Sequence, residues 1–201
     1  DRLERFVGVV SHDLRNPLNV AQNRMELAQQ ECDSDHLDHV EESHQRMATL
    51  IDDLLTLART GESPTDVAPV DLAAVAEGCR GAVGSDPTVR VETDRTVVAD
   101  EERLRRLFEN LYRNSVEHGD EDVTITVGNC AGGFYVEDDG PGIPPAERDR
   151  VFESGYTTAT GGTGFGLSIV EETATAHGWE IELTESETGG ARFEITGVEC
   201  V

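Results

Sequence analysis

The sequence predicts an α+β protein: an N-terminal antiparallel helical hairpin forming a dimeric four-helix bundle, then an α/β sandwich. Three observations carry this expectation. Over residues 1–60 apolar side chains recur in alternating steps of three and four, the period of a bundle seam. The stretch Gly61-Glu62-Ser63-Pro64-Thr65-Asp66 then breaks that period. Beyond it, short β-patterned runs joined mostly by hairpin turns alternate with a few helices.

The first helix carries Leu3, Val7, Val10, Leu14, Pro17, Ala21, Met25 and Ala28 on its seam. At roughly 100° per residue, His12 points about 160–200° away from Val10 and Leu14, toward solvent. Pro17 cannot donate to the carbonyl of Asp13, so the helix loosens just past the histidine. The second helix repeats the pattern at Leu37, Val40, His44, Met47, Ile51, Leu54 and Ala58, and Cys32-Asp33-Ser34-Asp35 forms the turn between the two. Two helices bury too little surface to stand alone, so the seams pair with a second copy into a homodimer. His44 reads as a packed bundle histidine. His36 and His39 lie one turn apart, with no third metal ligand in view.

The domains are expected at 1–61 and 70–201, with 62–69 as linker. In the second domain Asp71 caps a helix running through Ala82. Val89 to Glu92 and Thr96 to Ala99 read as strands, and Asp100 caps a helix from Glu101 to His118. Val123–Val127 and Gly133–Glu137 form a strand pair. A Gly- and Pro-rich stretch from Asp139 to Gly164 follows, then a helix to His177. Strands Trp179–Thr184 and Ala191–Thr196 flank a Glu187-Thr188-Gly189-Gly190 turn.

Charge is the outlier of the composition, with 41 acidic against 16 basic residues and a net −25. Every basic residue is arginine. Without lysine there is no Walker A loop, no eukaryotic-type protein kinase lysine and no Schiff-base chemistry. Such acidity repels nucleic acid, and it fits a halophile's cytoplasm. Cys32, Cys79, Cys130 and Cys200 are scattered, which suits isolated thiols in a reducing cytoplasm and not zinc. No apolar run approaches the roughly 18–20 residues of a membrane span, so this fragment is expected to make no direct membrane contact. The abrupt start inside a helical pattern suggests a missing upstream sensor, which would tether the full-length protein to a membrane.

Three clusters fall in order on the second domain. Asn110 and Asn114, four apart, share a helical face, and a carboxamide can meet a hydrated Mg²⁺ through oxygen while its NH₂ donates to a phosphate. Asp138-Asp139-Gly140-Pro141-Gly142-Ile143 ends a strand in a turn where the glycines let backbone approach a flat ligand. Gly162-Thr163-Gly164-Phe165-Gly166-Leu167 opens a helix, whose amides and dipole suit a polyphosphate. Each has an ordinary reading as well: solvated asparagines, an Asp-Gly turn and a flexible loop.

Ser11-His12-Asp13-Leu14-Arg15-Asn16-Pro17-Leu18 resembles the H-box of sensor histidine kinases. The three later clusters resemble the N, G1 and G2 boxes of the GHKL ATP-binding fold, shared by histidine kinases, DNA gyrase and MutL. Val151-Phe152-Glu153 to Tyr156 is similar to the F-box, inside a mobile lid. This resemblance implies ATP and Mg²⁺ as cofactors, His12 as phosphoacceptor and Asp13 as the base taking its other ring proton. It makes Asn16 the residue that orients water for dephosphorylating the partner, a response regulator receiver domain. Asn114 becomes the Mg²⁺ ligand, with Asn110 beside it, and Asp138 reads adenine beside Gly140, Gly142 and Ile143. Phe152 of the F-box counts among the ATP-binding residues, and the amides of Gly162, Gly164 and Gly166 face the phosphates, with Thr163, Phe165 and Leu167 beside them in the ATP site. Where the family commonly has lysine, three residues after the second Asn, this chain has Glu117; Arg113 and His118 are the candidates for the missing positive charge. The lid segment from Ser154 to Gly162 has no basic residue either. The alternatives are a phosphorelay or scaffold module that no longer turns over ATP, and a gyrase-like ATPase, which would carry glutamate in place of Asn110.

Overall fold

The computed structural model describes residues 2–32, 34–57, 64, 66–83, 87–119, 122–158 and 162–201, with backbone alone for 2–13, 31, 35, 42, 82 and 83. The chain divides into two compact units, Asp1–Thr60 and Gly61–Val201.

The first unit is a pair of helices, α1 (Arg2–Glu31, with Pro17 inside it) and α2 (Asp35–Leu57). Ser34 starts α2: its carbonyl accepts from the Leu37 N–H at 2.8 Å and its hydroxyl from the His36 N–H at 3.4 Å. Leu18 and Ile51 are buried between the helices, the Arg15 guanidinium pairs with Asp52, and Gln29 Nε2 donates to Glu41 at 2.7 Å. Pro17, expected on the seam, is exposed, while its neighbour Leu18 is the buried residue. The seam residues Leu14, Met47 and Leu54 remain 44–49% exposed, as do Val20 and Leu27 at 60% and 52%. Two helices touch along one line, so apolar side chains off that line stay open to solvent.

The second unit contains β1 (Val67–Asp71), α3 (Leu72–Gly78), a 3₁₀ turn (Arg80–Val83), β2 (Thr88–Glu92), β3 (Thr96–Asp100), α4 (Glu101–His118), β4 (Thr124–Cys130), β5 (Gly133–Asp138), α5 (Gly166–Ala176), β6 (Glu180–Glu185) and β7 (Ala191–Thr196). Residues 67–69, expected to be linker, instead begin β1, which pairs antiparallel with β3. Pro69 has no N–H to give a ladder, yet it is tolerated on a strand with one neighbour. The helix expected to run through Ala82 stops at Gly78, where the chain passes into the 3₁₀ turn around Gly81. Asp71 caps α3 through the Ala74 N–H at 3.1 Å, and Asp100 caps α4 through the Arg103 N–H at 3.2 Å.

The large sheet has the order β2-β4-β5-β7-β6, antiparallel except for β2 beside β4. Alternation along its strands turns Ile125, Val127, Phe134, Val136, Phe193 and Ile195 to one face. On that face Leu104, Leu107, Phe108, Leu111 and Tyr112 of α4 complete the core with Val170 and Ala174 of α5. Phe134 lies at the centre, 5.7 Å from Phe108 and edge-on to Trp179 at 6.2 Å. Asp138 continues the inward row Phe134, Val136 by two more residues, so its carboxylate enters the helix-covered side at the rim.

Candidate functional site

The buried stripe of α4 runs Leu104, Leu107, Leu111 and then Ser115, a polar residue where the period asks for an apolar one. Ser115 lies opposite Asp138. Its hydroxyl donates to Asp138 Oδ2 at 2.9 Å, while Oδ1 accepts from the N–H groups of Gly140 at 3.0 Å and Ala191 at 3.1 Å. Only 8% of Asp138 is exposed. A carboxylate offers about four acceptor positions, so these donors leave Oδ2 with one acceptor position still open.

The β6–β7 turn is part of the same cradle. Ser186 Oγ donates to the Asp138 carbonyl and accepts from the Gly190 N–H, both at 2.8 Å. A Cβ on Gly190 would sit 2.1 Å from Asp138 O, so only glycine allows the turn to seat there. Gly142 has φ +70°, and a Cβ on it would meet Gly189 O at 2.5 Å. Ile143 packs half-buried against the core, its carbonyl fixed by Arg148 Nε at 3.0 Å. Ser115, Ser186, Gly190 and Ala191 were not among the expected site residues; the polar break in the α4 stripe was the available signal for Ser115.

One turn along α4, Asn110 and Asn114 face the start of α5. A Cβ on Gly166 would lie 3.4 Å from Asn110 Oδ1 and 3.8 Å from Asn114 Oδ1, so both amide oxygens converge on that helix start. Asn110 Nδ2 donates to Arg106 O at 2.8 Å, which fixes its oxygen toward Gly166. Arg113 Nη1 stands 3.4 Å from Asn110 Oδ1 and brings a positive charge there. His118 and Glu117 are exposed in the last turn of α4. The cap position of α5 is Phe165, with no side-chain cap, so its first N–H groups are left for a ligand. Thr163 Oγ1 accepts from the Phe165 N–H at 3.3 Å. The Leu167 side chain packs half-buried against the core, while its backbone lies in the first turn of α5.

Of the stretch expected to form a lid, residues 159–161 lie outside the described residues. Phe152 packs edge-on against Phe193 at 6.5 Å, and Tyr156 donates to Glu147 at 3.0 Å beneath the Arg150 guanidinium. Gly162 and Thr163 are half-buried, and the Gly155 N–H donates to Gly164 O at 2.8 Å, tying the segment after Phe152 to the glycine loop. In the first unit Asn16 is exposed on α1, while the side chains of His12 and Asp13 lie outside the described residues.

The donor set fits a nucleotide with a hard cation. Two amide oxygens beside an open helix N-terminus suit Mg²⁺ shared with phosphates, which keeps most of its other ligands as water. Among the described residues no group of three His, Cys, Asp or Glu forms a metal site. The buried Cys79 thiol is pushed up to about 11, chiefly by burial, and does not serve as a nucleophile at neutral pH.

Residues 99–197 match the family described as histidine kinase-, DNA gyrase B- and HSP90-like ATPase, and residues 2–63 match the His kinase A (phospho-acceptor) domain. Sensor protein RstB of Escherichia coli K12 is 29% identical over 215 residues, covering 96% of this chain and 48% of that protein. Sensor protein IrlS of Burkholderia pseudomallei is 32% identical over 200 residues, covering 88% and 43%. Full-length ShkA, solved in complex with AMPPNP, superposes with a TM-score of 0.71 at 29% identity, over 98% of this chain and 46% of that one. The mycobacterial sensor histidine kinase MprB gives 0.56 at 26% identity, over 67% and 97%. The chain spans about half the length of the curated relatives it matches.

Proposed function

The chain belongs to the sensor histidine kinase family, and from that premise we propose that it transfers the γ-phosphoryl group of ATP to His12 and then to an aspartate of a response regulator receiver domain. The convergence of Asn110, Asn114 and the α5 N-terminus, one helical turn from the buried carboxylate of Asp138, carries this reading. Asp138 takes an amino donor of adenine at its open acceptor position. Asn114, with Asn110 beside it, would hold Mg²⁺, which neutralises charge developing on the phosphates. The first amides of α5 and Arg113 meet the polyphosphate, Arg113 standing in for the family's lysine at Glu117.

A neutral imidazole has a free lone pair on one ring nitrogen. In the transfer, a bond forms from that nitrogen of His12 to phosphorus as the bond to the ADP oxygen breaks. The proton on the other nitrogen passes to Asp13. Asn16 would orient water for the reverse service, dephosphorylation of the regulator. The apolar side chains Leu14, Val20, Leu27, Met47 and Leu54 left exposed on the hairpin support a homodimer through it. Among the described residues no helix is long and apolar enough to cross a membrane. We place the work of this segment in the cytoplasm, at high salt in keeping with the net charge of −25, without nucleic acid.

Incubation with γ-labelled ATP tests the proposal. Acid-labile label should appear on the protein and vanish in His12→Gln, while nucleotide binding is retained. Free phosphate without label would indicate a gyrase-like ATPase, against which Asn110 stands. Absence of both would leave a scaffold module, the reading that Glu117 favours.

A further inference from the structure

We propose that His177 is a positioning residue for nucleotide binding, an uncharged bolt between the C-terminus of α5 and the N-cap of α4. This rests on the nucleotide site proposed above. The ring is fixed on three sides. Nε2 accepts the Asp100 N–H at 3.0 Å, and Nδ1 lies 2.8 Å from the Thr173 carbonyl. A carbonyl only accepts, so the proton sits on Nδ1 and the lone pair on Nε2. One face of the ring stacks on Trp179, with centroids 4.3 Å apart and planes at 21°.

Asp100 is where β3 becomes α4, and its carboxylate caps that helix. His177 is where α5 ends. The two helices therefore run antiparallel, tied at one end by Asp100 and His177. At the other end the Asn110 and Asn114 oxygens face Gly166. Gly166 and His177 are 11 residues apart, roughly 16 Å of helix at 1.5 Å per residue, so His177 cannot touch a nucleotide. It sets how the helices lie, and the narrow gap at Gly166 makes the site sensitive to any slack between them.

Two charged side chains bear on the ring, Asp100 and Arg103, both from the start of α4. Burial, the largest influence, lowers the pKa of His177 from its ordinary 6.5; the Thr173 bond and Asp100 oppose that, and Arg103 adds to it. A second proton would set an N–H on Nε2 against the Asp100 N–H, donor against donor. The folded state thus binds fewer protons than the unfolded one between the lowered pKa and 6.5. The bolt's contribution is complete above the unfolded pKa and is lost as pH falls through the folded one.

The experiment compares wild type, His177→Gln and His177→Ala, using the full chain and Mg·ATP as the probe. Glutamine offers Oε1 to the Asp100 N–H and does not titrate. Long-range ¹H–¹⁵N spectra should show His177 as the Nδ1–H tautomer. By calorimetry at pH 7.5, His177→Ala should bind about tenfold more weakly, one hydrogen bond's worth of about 1.4 kcal/mol, and His177→Gln should recover most of that. From pH 7.5 to a pH below the lowered pKa of folded His177, wild type should lose more affinity than His177→Gln; the nucleotide's own titration is common to both. An Nε2–H tautomer overturns the proposal. So does unchanged affinity in His177→Ala at both pH values with only a lower melting temperature, which would be a purely structural role. If wild type itself fails to bind Mg·ATP at pH 7.5, the nucleotide site falls and this proposal with it, whereas binding that ignores His177 sinks this proposal alone.

Discussion

Replacing Asp138 by asparagine separates adenine reading from mere support of the fold. The two side chains have the same shape. The N–H groups of Gly140 and Ala191, at 3.0 and 3.1 Å, both demand an acceptor at Oδ1, so the new NH₂ must take the Oδ2 position. Ser115 Oγ, at 2.9 Å, can turn its hydroxyl and accept there. All three bonds survive without their charge assistance, a loss of about 1 kcal/mol each and on the order of 3 kcal/mol of stability together. The open acceptor position on Oδ2 becomes a donor facing the donor amine of adenine. Losing a charge-assisted bond of about 1.5–3 kcal/mol there should weaken ATP by roughly 10- to 150-fold. Inosine triphosphate presents an oxygen at that point and should weaken far less, so the preference for ATP narrows. Calorimetric titration with both nucleotides, beside thermal unfolding of the free variant, measures this. An equal loss for both nucleotides, or an unchanged ATP affinity, would refute the assignment of Asp138 to the base.

Asn114→Ala should lower Mg·ATP affinity by about tenfold or more while leaving the melting temperature nearly unchanged, if the half-buried amide serves the ligand as proposed and not the core. Equal affinity by titration would remove Asn114 from the metal. Glu117→Lys should tighten the same binding, and no change would mean that Arg113 or His118 already supplies the charge. In KCl from about 0.1 to 2 M the melting temperature should climb, since the Debye length falls from about 10 Å at 0.1 M to about 3 Å at 1 M and screens a net charge of −25. A flat KCl series, or an equal gain from sucrose at low salt, would remove charge repulsion as the limit on stability.

Helix α4 was legible in sequence because its signals agree: Asp100 for the cap, and apolar residues at Leu104, Leu107, Leu111 for the stripe. Asp138 was legible because it follows an alternating run and precedes a glycine turn. What lay hidden was every contact that depends on which turn folds over which strand. The Glu187-Thr188-Gly189-Gly190 run reads as a plain hairpin turn, and only the pairing of β5 with β7 brings the Ala191 N–H to Asp138. His177 reads as the end of a helix, because its acceptor role involves a residue 77 positions away. The strand β1 was missed because Pro69 argues against a ladder position, yet one unpaired side suffices for it. The end of α3 was overrun because its apolar pattern continues past Gly78, where two glycines weaken the helix.

The pairing around β3 also sets an order of events during synthesis. Beyond β1, β3 has another neighbour: the Val98 N–H donates to Glu199 O at 2.9 Å, and the Val201 N–H to Thr96 O at 3.0 Å. These partners lie about a hundred residues downstream of β3. At a ribosomal pace of about 5–20 residues per second, they emerge roughly 5–20 seconds after it. If the β1–β3 pair forms before then, it has one edge open. An unpaired edge is a template for another chain. Closing so long a loop also costs several tenths of a kcal/mol more for each doubling of its length. Disrupting the pairing of residues 199–201 with β3 should leave that edge open and favour edge-to-edge association.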